Sequence, residues 1–185
     1  MTKVSFFAIC GLFMILISSC KDRDKNAISE QLNDLYGKKI EFVHQDRYVI
    51  NGRDTVIAED KNTCFKIVVF ADSLGCQPCN LRLGELGLKV REIKYINENV
   101  HFVIIVQNSD YHSFEHDAHH NIPDFPFVYD PTGLFLTVND LPDDNRFHSF
   151  LLDRNNKILL VGNPLGNDNL WELYKRQIRE LTAKE

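Results

Sequence analysis

Two cysteines stand two residues apart in the run Cys76-Gln77-Pro78-Cys79. Thiols at that spacing can close an internal disulfide and can be reopened by thiolate exchange. The run follows an apolar stretch, FKIVVFA at 65–71, and precedes a stretch with helical periodicity that begins at Cys79. A thiol in the first turn of a helix meets N–H groups that have no intrahelical acceptor, and the positive end of the helix dipole. Both favour thiolate over thiol. On this reading Cys76 is the exposed nucleophile, and Cys79, one turn further in, is the resolving thiol. Gln77 and Pro78 complete the motif; proline is tolerated in a first helical turn and its fixed φ holds the sulfurs in a set relation.

The same pair has blander readings. An inert structural disulfide needs no particular placement between strand and helix. A structural zinc site wants four ligands, so Cys64 and a histidine would have to converge on the pair. Cys64 itself, just before the apolar stretch, reads as a small packing residue. The residues His112-Ser113-Phe114-Glu115-His116 spell H-x-x-E-H, a metallopeptidase spacing, and His119 and His120 follow. No peptidase scaffold surrounds them, so this stretch reads as a solvated polar helix.

The elements that must position Cys76 and Cys79 can be read from periodicity. Residues 65–71 and 100–106 (VHFVIIV) are buried strands, expected to run parallel with a right-handed crossover between them. Residues 79–96 form the connecting helix, weakened by Gly84 and Gly87 at about 1 kcal/mol each. A polar helix is expected over 110–120. Strands are expected over 125–129, 147–152 and 157–161, with Asn155-Asn156 turning between the last two. A closing amphipathic helix spans 169–182. Upstream, 28–36 reads as a short helix and 40–43 as a short strand. Asn51-Gly52 between 47–50 and 53–57 is a hairpin signal, because a type I′ turn needs positive φ at both positions. The order is that of an α/β fold with a central mixed sheet flanked by helices, preceded by a helix and β-hairpin extension over 28–62.

Composition narrows the function. The chain has 185 residues, 44% of them hydrophobic, with 21 basic and 26 acidic side chains and a net charge of −5. That excludes the basic face needed for non-specific nucleic-acid binding and a polybasic membrane surface. The first nineteen residues are not expected to belong to the fold. Lys3 is followed by an almost unbroken apolar run to Ile17, the layout of a secretory signal peptide. Ile17-Ser18-Ser19-Cys20 resembles the bacterial lipobox, which implies cleavage before Cys20, lipid (diacylglyceryl, with palmitate-type acyl chains) on its sulfur, and a polar tether over 20–27. A plain signal peptide or an uncleaved anchor is the alternative. The implied location is the cell envelope, anchored to a bacterial membrane and facing the periplasm, with the outer membrane favoured.

Residues 63–182 resemble the thioredoxin-like superfamily, and more narrowly the exported, membrane-anchored TlpA/ResA-type redoxins. The resemblance rests on FKIVVFADSLGCQPC, FPFVYDPTGLF and FHSFLLDRNNKILLVGNP. It implies a thioredoxin-like fold over 63–185 and thiol–disulfide exchange with protein partners, with Cys76 attacking and Cys79 resolving. It implies no cofactor, an upstream electron donor and a monomer. The chain departs from the pattern in three places. Gly75 replaces the usual tryptophan, Arg82 replaces an acidic residue, and Phe147 stands where a cis-proline usually faces the disulfide. Arg146, Phe147 and His148 therefore form the expected substrate platform, in altered form. Pro142 could substitute only if its loop folds back. Two alternatives use the same residues. A thiol peroxidase would use Ser73 and Arg146 beside Cys76. A copper-binding thioredoxin-like protein would join His148 to Cys76 and Cys79, since soft thiolates suit Cu(I).

Overall fold

A computed structural model describes residues 24–43, 48–50, 53–55, 64–73, 81–108 and 111–183. The chain falls into two compact units, Met1–Leu35 and Tyr36–Glu185. The first contributes one described helix, α1 (24–35). It starts four residues earlier than expected and takes in the end of the stretch read as a tether, because residues 24–27 contain neither Gly nor Pro to stop it.

The second unit is built on a seven-stranded sheet. Its strands are β1 (Tyr48–Ile50), β2 (Arg53–Thr55), β3 (Phe65–Ala71), β4 (Val100–Val106), β5 (Phe127–Tyr129), β6 (Ser149–Leu152) and β7 (Ile158–Val161). Their order across the sheet is β2-β1-β5-β4-β3-β6-β7. The helices are α2 (Leu83–Ile96), α3 (Tyr111–Asn121), α4 (Leu134–Val138) and α5 (Asp168–Thr182). At the centre β3 and β4 run parallel in register from Phe65 against Val100 to Ala71 against Val106. All seven residues of β3 are buried, as expected of a strand covered on both faces. The expected hairpin forms, with Tyr48 opposite Thr55, and joins the sheet through Val49 opposite Phe127. Its turn residues, 51–52, lie outside the described residues.

Strand alternation sorts the core into two layers. Ile67, Val69, Ala71, Ile104, Val106 and Leu151 pack in one cluster with Leu83 and Leu86 of α2, Phe114 of α3, and Trp171 and Tyr174 of α5. On the other face Phe70 stacks on Phe135 of α4 at 5.9 Å between ring centroids, and Phe42 tilts against the same ring at 6.1 Å.

Several elements are shorter than the sequence suggests. Residues 40–43 form no strand; Lys39 makes a single bridge to Lys157, and Ile40 N–H donates to Asn156 O at 2.8 Å. The helix expected from Cys79 begins at Leu83. Strand β5 begins at Phe127 rather than Phe125, since Asp124 takes a positive φ of 62° and Phe125 N–H is used by Ile122 O, while Pro126 has no N–H to give. Strand β6 begins at Ser149, because Asn145–Phe147 coil into a 3-10 turn capped by Asp144. Helix α4 was not expected at all. Asp130, fully buried, makes it: its carboxylate accepts Leu134 N–H at 3.0 Å, Phe135 N–H at 2.8 Å and the Thr132 hydroxyl at 3.4 Å.

The α2–α5 contact is a polar seam around Trp171. The indole N–H donates to Glu92 at 2.7 Å, and Lys175 Nζ lies 2.6 Å from the other oxygen of that carboxylate and 2.7 Å from Glu172. Lys89 Nζ sits 4.8 Å from the Trp171 ring centroid and 3.1 Å from Glu85. The hydrogen bonds from Lys175 and Trp171 hold the Glu92 carboxyl below its ordinary range, and Glu172 and Glu92 hold the Lys175 ammonium above its own.

Two outcomes follow for stability. A carboxyl with a folded-state pKa below its unfolded value stabilises the fold above the ordinary carboxylate range, and this stabilisation is lost as pH falls through the folded value. Glu92→Gln should therefore lower stability near neutral pH by at most about 1 kcal/mol, the range for a half-exposed pair. The gap from the natural protein should close in acid when melting is followed from neutrality downward; a gap that stays constant with pH would rule this out. Asp130→Ala should cost about 2–3 kcal/mol in denaturant unfolding, because two backbone N–H groups lose a buried acceptor. A loss under about 1 kcal/mol would show that α4 does not depend on Asp130.

Candidate functional site

Residues 74–80 lie outside the described residues, and Cys76, Gln77, Pro78 and Cys79 are among them. So is Cys20, the expected lipid-attachment residue. The structure does place the two ends that bracket the motif. Strand β3 delivers Ala71, buried, and then Asp72 and Ser73; the chain is described again at Leu81, also buried, one turn before α2. In the chain the motif thus stands between the carboxyl end of a central strand and the start of α2.

One side of this opening is built by the start of α2. Arg82, its N-terminal flanking residue, has φ 45° and ψ 55°, a left-handed conformation that costs a non-glycine residue about 1 kcal/mol or more. Interactions around it hold it there. Arg82 Nε donates to Glu85. The other oxygen of that carboxylate accepts Gly166 N–H at 2.8 Å, on the β7–α5 loop, and lies 3.1 Å from Lys89. Burial alone would raise the Glu85 carboxyl, but the hydrogen bonds from Gly166, Lys89 and Arg82 outweigh it and hold it below its ordinary range. Gly166, at φ 76°, admits the arginine closely: a Cβ there would lie 3.0 Å from Arg82 Nη1. The arginine that replaces an acidic residue of the resembled pattern is therefore a clip from α2 to the loop before α5.

The other side is the segment 142–149. Asp144 accepts the Arg146 N–H at 3.0 Å and the guanidinium Nε at 2.8 Å. Hydrogen bonds from Arg146 hold the Asp144 carboxyl below its ordinary range. Phe147 is buried, and its N–H donates to Asp144 O at 3.0 Å. His148 is only 3% exposed. Its Nε2 lies 2.6 Å from Pro142 O, and since a carbonyl only accepts, Nε2 carries the hydrogen. Its Nδ1 is buried without a hydrogen-bond partner. The loop does fold back, then, and brings Pro142 to the platform through its carbonyl. No peptide bond among the described residues is cis, and those include the bonds before Pro123, Pro126 and Pro142.

Beside this segment lies a cleft of about 450 Å³, lined by Asp72, Arg146, Ser149, Asn163 and Asn167 together with the apolar Phe70 and Leu170. Asn163 and Asn167 use their Oδ1 atoms to cap Leu165 N–H and Leu170 N–H. Their amide NH₂ groups remain as donors at the cleft.

The His148 ring meets Phe70 edge-on at 5.7 Å, and Phe70 belongs to the α4 face of the sheet, whereas α2 packs on the other. Arg146 is engaged by Asp144, and Ser73 is exposed. Cys64 is buried, as a packing residue should be. The clip of Arg82 and Glu85 was missed in the sequence, although their i,i+3 spacing is visible there. Among the described residues no group of three or more His, Cys, Asp or Glu side chains is arranged to hold a metal ion, and no helix is long and apolar enough to cross a membrane.

No protein-family model matches the sequence, and no curated protein does. Solved structures do. The chain is similar to a thiol:disulfide interchange protein from Bacteroides sp., with a TM-score of 0.56 at 14% identity over 77% of this chain and 90% of that one. It is similar to a protein from Chlorobium tepidum assigned as the thiol:disulfide interchange protein DsbE, with a TM-score of 0.54 at 19% identity over 78% and 97%. A PrxQ variant from Xylella fastidiosa has a TM-score of 0.55 at 12% identity over 80% and 96%. At these identities the likeness is one of architecture, and together with the sheet order and helix placement it establishes that the chain has a thioredoxin-like fold.

Proposed function

We propose that the chain is an exported, membrane-tethered thiol–disulfide oxidoreductase that works through Cys76 and Cys79. The single observation that carries this is the position of the motif in the fold. In the chain the CxxC segment stands between Ser73, just past the end of a central parallel strand, and Leu81, just before its crossover helix, and Asp72 at that strand end lines a cleft. Two of the solved structures with this architecture bear the name thiol:disulfide interchange protein.

The exchange balances within the pair. The Cys76 thiolate attacks one sulfur of a partner disulfide and expels the other as a thiolate, giving a mixed disulfide. The Cys79 thiolate then attacks the Cys76 sulfur and releases the second partner thiolate. The partner gains two electrons, the chain is left with the Cys76–Cys79 disulfide, and an upstream dithiol must reduce it again. The asparagine amides at the cleft suit the carbonyls of an extended polypeptide. No cofactor is needed. Lipid on Cys20 would limit partners to those that the tether reaches at the membrane surface.

A second reading, thiol peroxidase, draws on the similarity to the PrxQ structure. It asks Arg146 to leave Asp144 and face a peroxide. A third reading, copper binding, would need the His148 imidazole to reach Cys76 and Cys79.

The test is a redox titration of residues 21–185 in graded glutathione buffers, read by thiol alkylation and mass. Cys76 and Cys79 should titrate together as a two-electron couple, with a tenfold change in equilibrium for about 30 mV. Insulin reduction should fall at least about a hundredfold in Cys76→Ser, because the attacking thiolate is lost. Cys79→Ser should accumulate mixed disulfides. A Cys76→Ser protein as active as the natural one would sink the proposal. Rapid hydrogen peroxide consumption without disulfide exchange would favour the second reading.

A further inference from the structure

The polar helix α3 carries His112, His116, His119 and His120, none of which the thiol chemistry uses. The H-x-x-E-H spacing singles out His112 and His116. The structure instead brings together the rings of His116 and His120, one turn apart, tilted by 39° with centroids 4.7 Å from each other and both side chains exposed.

The hydrogen bonding of these rings fixes which nitrogens are available. His120 Nδ1 lies 2.8 Å from His116 O. A carbonyl only accepts, so Nδ1 holds the hydrogen and Nε2 keeps its lone pair. His116 Nδ1 lies 3.5 Å from Asp117 Oδ1, which draws its hydrogen to the same position. Both rings therefore turn Nδ1 to an oxygen and leave Nε2 as the free donor of electrons. That is the outer arrangement of metal-bound histidines, whose second nitrogen donates to a carbonyl or carboxylate.

The scaffold beneath is anchored. Phe114 is buried and meets Phe127 edge-on at 5.1 Å, and Tyr129 OH donates to Glu115 at 3.1 Å on the adjacent turn. Asn121 Nδ2 donates to Asp117 O at 2.8 Å, closing the last turn. His119 meets the His120 ring edge-on at 6.2 Å and lines a shallow notch with Phe125 and Phe127.

We propose that His116 and His120 form a two-imidazole site for a late first-row divalent cation, with Cu(II) bound more tightly than Ni(II) or Zn(II). Imidazole nitrogens suit these ions, and the order follows their general affinity for nitrogen ligands. Calcium and magnesium, which want oxygen ligands, are excluded. With two protein ligands the rest of the coordination shell is water, so the ion is exchangeable.

The test uses the full chain with its accessible thiols blocked by N-ethylmaleimide. Thiolate ligation then plays no part, and the result does not depend on whether Cys76 and Cys79 exchange disulfides. Cu(II) is titrated by calorimetry, and the loaded protein is examined by electron paramagnetic resonance. One ion per chain with nitrogen hyperfine coupling is expected. His116→Ala and His120→Ala should each weaken binding at least about tenfold, while His112→Ala leaves it unchanged; circular dichroism checks that each variant is folded. Affinity unchanged in the folded His116→Ala/His120→Ala double variant, or lost equally in His112→Ala, would overturn the proposal.

Discussion

The parallel pairing of β3 with β4 governs this molecule. Seven consecutive residues of β3 face seven of β4 without a break, and β3 is buried on both faces. A one-residue slip would exchange the residues of the two faces, driving Lys66 into the layer that Ile67 and Val69 fill. The register is thereby fixed, and with it the point at which the chain leaves the sheet, after Ala71. A parallel partner cannot be reached by a tight turn, so a crossover helix must follow, and the chain between Ala71 and that helix has to cross the carboxyl end of the sheet. Cys76 and Cys79 fall in this obligatory crossing.

What borders the crossing is held by short-range electrostatics rather than by apolar packing. Glu85 gathers Arg82, Lys89 and Gly166 N–H around one carboxylate, tying the first turn of α2 to the loop before α5. Asp144 does the same for the 3-10 turn before β6. The Trp171 seam, with its two lysines and Glu92, continues the α2–α5 contact toward the far end of the helices. Apolar burial sets the layers; these carboxylates set where the loops at their edge lie.

This division explains what was legible in the sequence. Strands β3 and β4 were readable to the residue because both are buried apolar runs, and the hairpin because Asn51-Gly52 has a turn conformation of its own. Helix α5 was one residue off. The misses are those where a polar side chain overrides local periodicity. Asp130 makes α4 from five residues, too few to show a period. Asp144 turns Arg146 and Phe147 into a 3-10 coil where alternation alone reads strand. Arg82 takes a left-handed conformation that no propensity suggests, and the helix expected from Cys79 is delayed to Leu83. Of the candidate site, the cysteine pair was legible as a motif. The clip beside it was not, since its third member, Gly166, is more than eighty residues away.

The segment before β6 shows how a departure from a pattern can preserve its physical effect. In the resembled redoxins a proline precedes this strand, and a proline has no N–H. Phe147 has one, but the 3-10 turn consumes it through Asp144 O. The side chain, meanwhile, is buried, with the Arg146 guanidinium 5.9 Å from its ring. Neither the amide nor the phenyl group of Phe147 is therefore offered to the cleft. What the cleft does receive is mixed: polar groups of Asp72, Arg146, Ser149, Asn163 and Asn167 stand beside Phe70, Ala71 and Leu170. The departure thus withdraws an N–H from this place by a turn, where the resembled pattern withdraws it by a proline.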